Sequence, residues 1–161
     1  MKIIILNALF FLTFIFSYER INFTSANPFS FRDIITNLEN QESQDVYGIL
    51  RFPDNYDSNK KYPLIIGVAG SLDWSNHHYE YLDMYRNLGI ATFELNSFKS
   101  RGVKSTVGSQ TEVTTAMIIL DLYNAFELLS NHENIDKDNV GLTGWSLGGA
   151  VTLFSGWKPL K

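Results

Sequence analysis

Residues Asn139 to Phe154 read NVGLTGWSLGGAVTLF. Asn139–Thr143 has the look of a short buried strand, Gly144–Gly148 of a turn with a serine at its centre, and the residues from Leu147 on of an apolar helix. Gly144-Trp145-Ser146-Leu147-Gly148 is G-x-S-x-G. On a sharp strand-to-helix turn this spacing lifts the serine hydroxyl above the sheet, and the glycines remove side chains that would collide with neighbouring backbone. The amide of Leu147 then stands at a helix N-terminus, free to donate to a developing oxyanion. Gly149 and Ala150 keep the helix slim where it meets the sheet. The bland alternative is a glycine-rich turn with Ser146 as an ordinary helix cap. A strand before the motif and an apolar helix after it favour a nucleophile.

Upstream, the chain alternates strands and helices. Val46–Pro53 (VYGILRFP) predicts a strand ended by proline, and Tyr62–Gly70 (YPLIIGVAG) a fully buried one. SNHHYEYLDMYRNLG predicts a helix capped by Ser75 and stopped by Gly89, with Leu82, Tyr85 and Leu88 on one face. Ile90–Asn96 predicts a third strand. Ser109–Glu112 (SQTE) has the spacing of a capping box opening a helix to about Asn131. Its apolar rows are Val113, Ala116, Met117 and Leu120, then Ile119, Leu122, Phe126 and Leu129, a broad face suited to lying on a sheet. This alternation specifies a parallel α/β sheet with right-handed crossovers.

The chain has 161 residues, 13 Lys and Arg against 17 Asp and Glu, and a net charge of −4. No basic cluster follows a phosphate backbone, which argues against nucleic acid as a partner. There is no cysteine, so disulfides, thiolate zinc sites and a cysteine nucleophile are excluded. His77 and His78 are adjacent at a helix start and diverge around it, a poor metal pair that reads as surface; no metal or other cofactor is expected.

The N-terminus, MKIIILNALFFLTFIFSYERINFTSANPF, sets Lys2 before an apolar run from Ile3 to Phe16. That run is shorter than the roughly 20 residues of a membrane span. Thr24 and Ala26 stand at −3 and −1 of a cleavage point before Asn27. The pattern predicts a signal peptide over residues 1–26 and a secreted or periplasmic product, with no stable membrane partner. A retained anchor helix is the alternative, because Ser17–Ser25 is long for the stretch between apolar run and cleavage point.

From about Tyr62 to Phe154 the chain resembles the dienelactone hydrolase family of α/β-hydrolases. SFKSRGV (Ser97–Val103) is similar to that family's loop after the fourth strand, GSQTEVTTAMIILDLYNAFELL to its following helix, and IDKDNVGLTGWSLGG to its elbow. The resemblance implies an α/β-hydrolase-like parallel sheet flanked by helices over residues 46–161, the N-terminal portion only of such a fold. It implies a serine hydrolase acting on a small-molecule carboxylic ester or lactone, or on a peptide-like acyl bond. Three departures stand out. Ser146 occupies an elbow position where several such enzymes carry cysteine, Ala69-Gly70 replaces a common His-Gly, and Asn96 replaces the usual aspartate before Ser-Phe.

Ser146 is thus the candidate nucleophile, with the Leu147 and Ser71 amides as oxyanion donors; Ser71 lies in AGSLDW, the loop after the preceding parallel strand. Arg101 is a candidate for a substrate carboxylate, since guanidinium pairs bidentately with one; a structural loop arginine is the alternative. In α/β-hydrolases the triad's acid and then its histidine follow the serine in the chain. Residues 147–161 contain no Asp, Glu or His, and His77, His78 and His132 all precede the serine. His132 belongs beside the wrong end of the elbow strand. These 161 residues are therefore expected to be the N-terminal part of a longer hydrolase, inactive alone and poorly folded. The competing reading is a non-catalytic secreted α/β binding module.

Overall fold

The chain from Tyr62 to Val68 (β3) is apolar at nearly every position because it is covered on both faces and paired on both edges. The computed structural model describes residues 18–160; the apolar run Ile3–Phe16 lies outside the described residues. Four other strands surround β3: β1 (Tyr18–Ala26), β2 (Ser43–Arg51), β4 (Ala91–Leu95) and β5 (Ile135–Gly144). Their order across the sheet is β1-β2-β4-β3-β5. β4 and β5 flank β3 in parallel, as the alternation predicts. β2 runs antiparallel to β4, and β1 antiparallel to β2. The sheet is therefore mixed, because β2 and β1 form an antiparallel hairpin against its parallel half.

β1 lies within the stretch that the sequence assigns to a leader. It pairs with β2 over nine positions, from Tyr18↔Arg51 to Ala26↔Ser43. Ile21 and Phe23 pack against the core from one side of it. The short helix α1 (Phe31–Thr36) follows, closed by Ser30, whose amide and hydroxyl both donate to Asp33.

The core sits between the sheet and α4 (Thr115–Ser130) and α5 (Leu147–Phe154). Leu50, Phe93, Ile66, Ile119 and Val151 are all completely buried in it. Burying such a side chain contributes about 1.5–3 kcal/mol. Gly48 is in β2 because a Cβ there would lie 2.0 Å from the Phe93 ring of the neighbouring strand. The opposite sheet face carries α2 (Asn76–Asn87), which covers β4 with Leu82 buried.

One helix start and two helix faces differ from the sequence expectation. α4 begins at Thr115, not after Ser109: Ser109 and Thr111 bond each other in an exposed turn, and Glu112 is exposed. Thr114 caps the helix instead, accepting from the Met117 amide at 3.1 Å and donating to the Pro28 carbonyl at 3.0 Å. The tertiary bond to Pro28 decides between the two caps. Phe126 is exposed rather than buried, and at the end of α2 so is Leu88, just before Gly89 at φ +83. Among the described residues, no helix is long and apolar enough to cross a membrane.

Candidate active site

Ser146 occupies the turn between β5 and α5 with φ +52 and ψ −113. For a side chain with a Cβ this backbone is strained by on the order of 1–3 kcal/mol, and it persists only where its surroundings force it. They do so here. A Cβ on Gly144 would lie 2.2 Å from the Gly148 carbonyl oxygen, and one on Gly148 2.1 Å from the Val68 carbonyl oxygen. Only glycine at both positions lets the turn close against β3. The Ser146 side chain makes no capping bond and is exposed. No bond from the Ser146 side chain caps the helix it precedes, so the ordinary-cap alternative is not what the structure shows.

The loop after β3 lies directly against this turn. A Cβ on Gly70 would meet the Trp145 carbonyl oxygen at 3.1 Å and Ser146 Cβ at 3.5 Å. Ser71 is the next residue. Three bonds hold its loop: Asp73 N–H to the Gly70 carbonyl (3.0 Å), Thr106 N–H to the Ser71 carbonyl (2.9 Å), and Trp74 Nε1–H to the Leu95 carbonyl (2.9 Å). Asp73 has φ +62, which lets the loop reverse within four residues. Among the described residues the amides of Ser71 and Leu147 have no hydrogen-bond acceptor. Two free N–H groups thus border the exposed serine. Sequence reasoning picked out Ser71 but not Asp73, Trp74 or Thr106, which shape its loop. Asp73 before an aromatic residue is the one local signal, since Asp tolerates positive φ better than most residues.

Beside the loop lies a buried polar group. Asp73 and Glu94 are 8% and 7% exposed, and Lys99 Nζ stands 3.9 and 4.0 Å from their carboxylates. Burial raises the Asp73 carboxyl above its ordinary range, and Lys99 opposes the shift. Tyr79, whose hydroxyl faces Glu94 at 3.5 Å, is pushed up to about 12, mainly by burial and then by the Glu94 charge.

The remaining candidates are placed plainly. His78 is buried, 4% exposed, not on the surface. Its Nδ1 accepts from the Ser75 amide at 3.2 Å, and its ring lies 4.4 Å from Trp145 and 5.7 Å from Trp74. Burial holds it below the usual imidazole range. It supports the elbow from behind through Trp145. His77 is exposed and bonds Ser75. His132 lies at the start of β5, bonded to Glu19 and to the Asn134 amide, at the opposite strand end from Ser146. Ser146 has no histidine or carboxylate partner among the described residues.

Arg101 is not free for a substrate carboxylate. It grips Asp121 through both terminal nitrogens at 2.7 and 3.0 Å and also donates to Asn27 Oδ1 and to the carbonyls of Ala26 and Ser97. All five of its N–H donors are used. The structural alternative holds: Arg101 ties β1, α3 (Ser97–Ser100) and α4 together. Among the described residues no group of three or more His, Asp or Glu is placed to hold a metal ion.

A parallel β3–β5 pair ending in a strained serine elbow, with a glycine loop pressed on it, decides the architecture. The chain has the α/β-hydrolase fold. Solved structures agree on the fold. The chain is similar to DcsB in complex with its substrate analogue (TM-score 0.59, 15% identity, 86% of this chain and 41% of that one). It is also similar to the dienelactone hydrolase-like promiscuous phosphotriesterase P91 from metagenomic libraries (TM-score 0.58, 13% identity, 84% and 53%). The α/β-hydrolase GrgF from Penicillium sp. sh18 gives a TM-score of 0.58 at 17% identity, over 86% and 40%. Among curated proteins, the dipeptidyl peptidase 4 sequences of Trichophyton equinum and Trichophyton tonsurans are 29% identical over 114 residues. That match covers 63% of this chain and 14% of those relatives. No protein-family model matches it.

Proposed function

We propose that this chain carries the nucleophile half of a serine hydrolase of the dienelactone hydrolase type, acting on small-molecule carboxylic esters or lactones. The observation that carries the reading is Ser146 itself: exposed, uncapped, and held at φ +52 where nothing but a presented hydroxyl rewards the strain. Ser146 attacks the acyl carbonyl to give an acyl-enzyme, and the Leu147 and Ser71 amides receive the charge that develops on the carbonyl oxygen. Arg101 has no part in binding substrate.

The serine needs a base. Residues 147–161 hold no His, Asp or Glu, and the histidines of the described residues are engaged elsewhere. In this reading the base and its acidic partner come from polypeptide beyond these 161 residues, and the chain alone turns over no ester. A polypeptide extended by its downstream coding sequence should hydrolyse p-nitrophenyl acetate, and Ser146→Ala should lower kcat by at least about 10³-fold. An unchanged rate in the variant would remove Ser146 from the mechanism. A peptide acyl bond is the second reading, favoured by the likeness to dipeptidyl peptidase 4. It uses the same serine, and a dipeptidyl anilide turned over faster than any ester would select it.

A further inference from the structure

We propose that the strand Tyr18–Ala26 is retained in the mature protein and that the leader is cut on its N-terminal side, after Ser17. The inference rests on reading residues 1–17 as an export leader and is independent of the role of Ser146.

Two cleavage points compete in the sequence. One places Thr24 and Ala26 at −3 and −1, the other Ile15 and Ser17. The fold separates them. Cutting after Ala26 removes all of β1 and with it nine paired positions along β2. It takes away Ile21 and Phe23, which pack against the core, and leaves β2 as a bare edge. It also removes the Ala26 carbonyl that accepts from Arg101 Nη2 at 3.1 Å, the Thr24 carbonyl that accepts from Asn124 Nδ2, and the Glu19 carboxylate that pairs with His132. The residue that would become the new N-terminus, Asn27, has its amide bonded to the Glu42 carbonyl and its Oδ1 bonded to Arg101. A buried arginine that loses an acceptor keeps its charge without full pairing, which is costly.

Cutting after Ser17 removes none of these contacts. Ser17 directly follows the apolar run that ends at Phe16 and precedes Tyr18, the first described residue of β1. It supplies the small −1 side chain that a signal peptidase needs, with the uncharged aliphatic Ile15 at −3.

Edman sequencing or intact-mass analysis of the protein exported from a bacterial host, expressed with its own N-terminus, reads the cut directly. Tyr18 is the expected first residue. Asn27 would overturn the boundary, and an intact Met1 in the exported fraction would overturn the leader reading itself. Reciprocal variants make the test independent of folding. Ser17→Arg should leave the precursor uncut, while Thr24→Arg, at an exposed strand position, should be processed like the parent. The opposite pattern would assign the cut to Ala26.

Discussion

At Ser146 the backbone and the side chain serve different ends. The backbone is held in a strained turn by two glycines, and the side chain is left with nothing to bond. Gly148→Ala tests the first half of that statement, because the new Cβ would sit 2.1 Å from the Val68 carbonyl oxygen and 2.5 Å from that of Ala69. Backbone cannot move aside as a side chain can, so the variant should lose about 2 kcal/mol or more in urea unfolding. Gly149→Ala is its control: the nearest atom is 3.4 Å away and the site is helical, so stability should stay level or rise by up to about 1 kcal/mol. His78 gives a pH signature. Burial lowers its folded pKa below the unfolded value of about 6.5, so the unfolded chain binds the proton first as pH falls. Its neutral form should contribute no penalty above that value, and stability should fall as pH drops below it; His78→Gln should flatten that part of a stability-against-pH curve. The elbow serine was legible in the sequence because glycine spacing encodes a backbone requirement. The burial of His78 was not, since it depends on Trp74 and Trp145 meeting across 71 residues of chain.

Elements were legible where their pattern was local. β3, β4, α2 and β5 follow from apolar runs, an N-cap serine and glycine stops, all within a few residues of where the structure begins and ends them. β1 was hidden because an edge strand with one exposed face resembles the polar tail of a leader. The start of α4 was hidden because its cap is chosen by Pro28, 86 residues away. The same logic marks Arg101 and Asp121 as a joint between elements. Asp121→Asn leaves a buried guanidinium without its counter-charge and should cost about 3–5 kcal/mol in chemical denaturation, whereas replacing both by apolar residues should cost less. On the other side of the sheet, β5 has β3 on one edge and nothing paired on the other among the described residues. Leu142 on that strand, Phe126 on α4 and Leu153 on α5 are all exposed, and an apolar groove of about 310 Å³ runs between β5, α4 and α5. An open edge beside apolar surface promotes association, and a lysine on it opposes association. Size-exclusion chromatography of the chain should show oligomer or aggregate, and Leu142→Lys should raise the monomer fraction; a monodisperse parent would contradict this.

For the molecule as a whole, the fold and the chemistry stand at different distances from the sequence. A sheet of the α/β-hydrolase fold, the strained turn at Ser146 and the loop pressed on it all lie within a chain of 161 residues that spans 40–53% of DcsB, P91 and GrgF. Ser146 has no histidine or carboxylate partner among the described residues, and the proposed function depends on its role as nucleophile. It is tested most directly by mapping the adduct of a fluorophosphonate probe on the polypeptide extended past Lys161. The account predicts one adduct per chain, on the peptide that contains Ser146, lost on Ser146→Ala with the protein still folded by circular dichroism. Stoichiometric labelling that survives in Ser146→Ala, at any other residue, would contradict it.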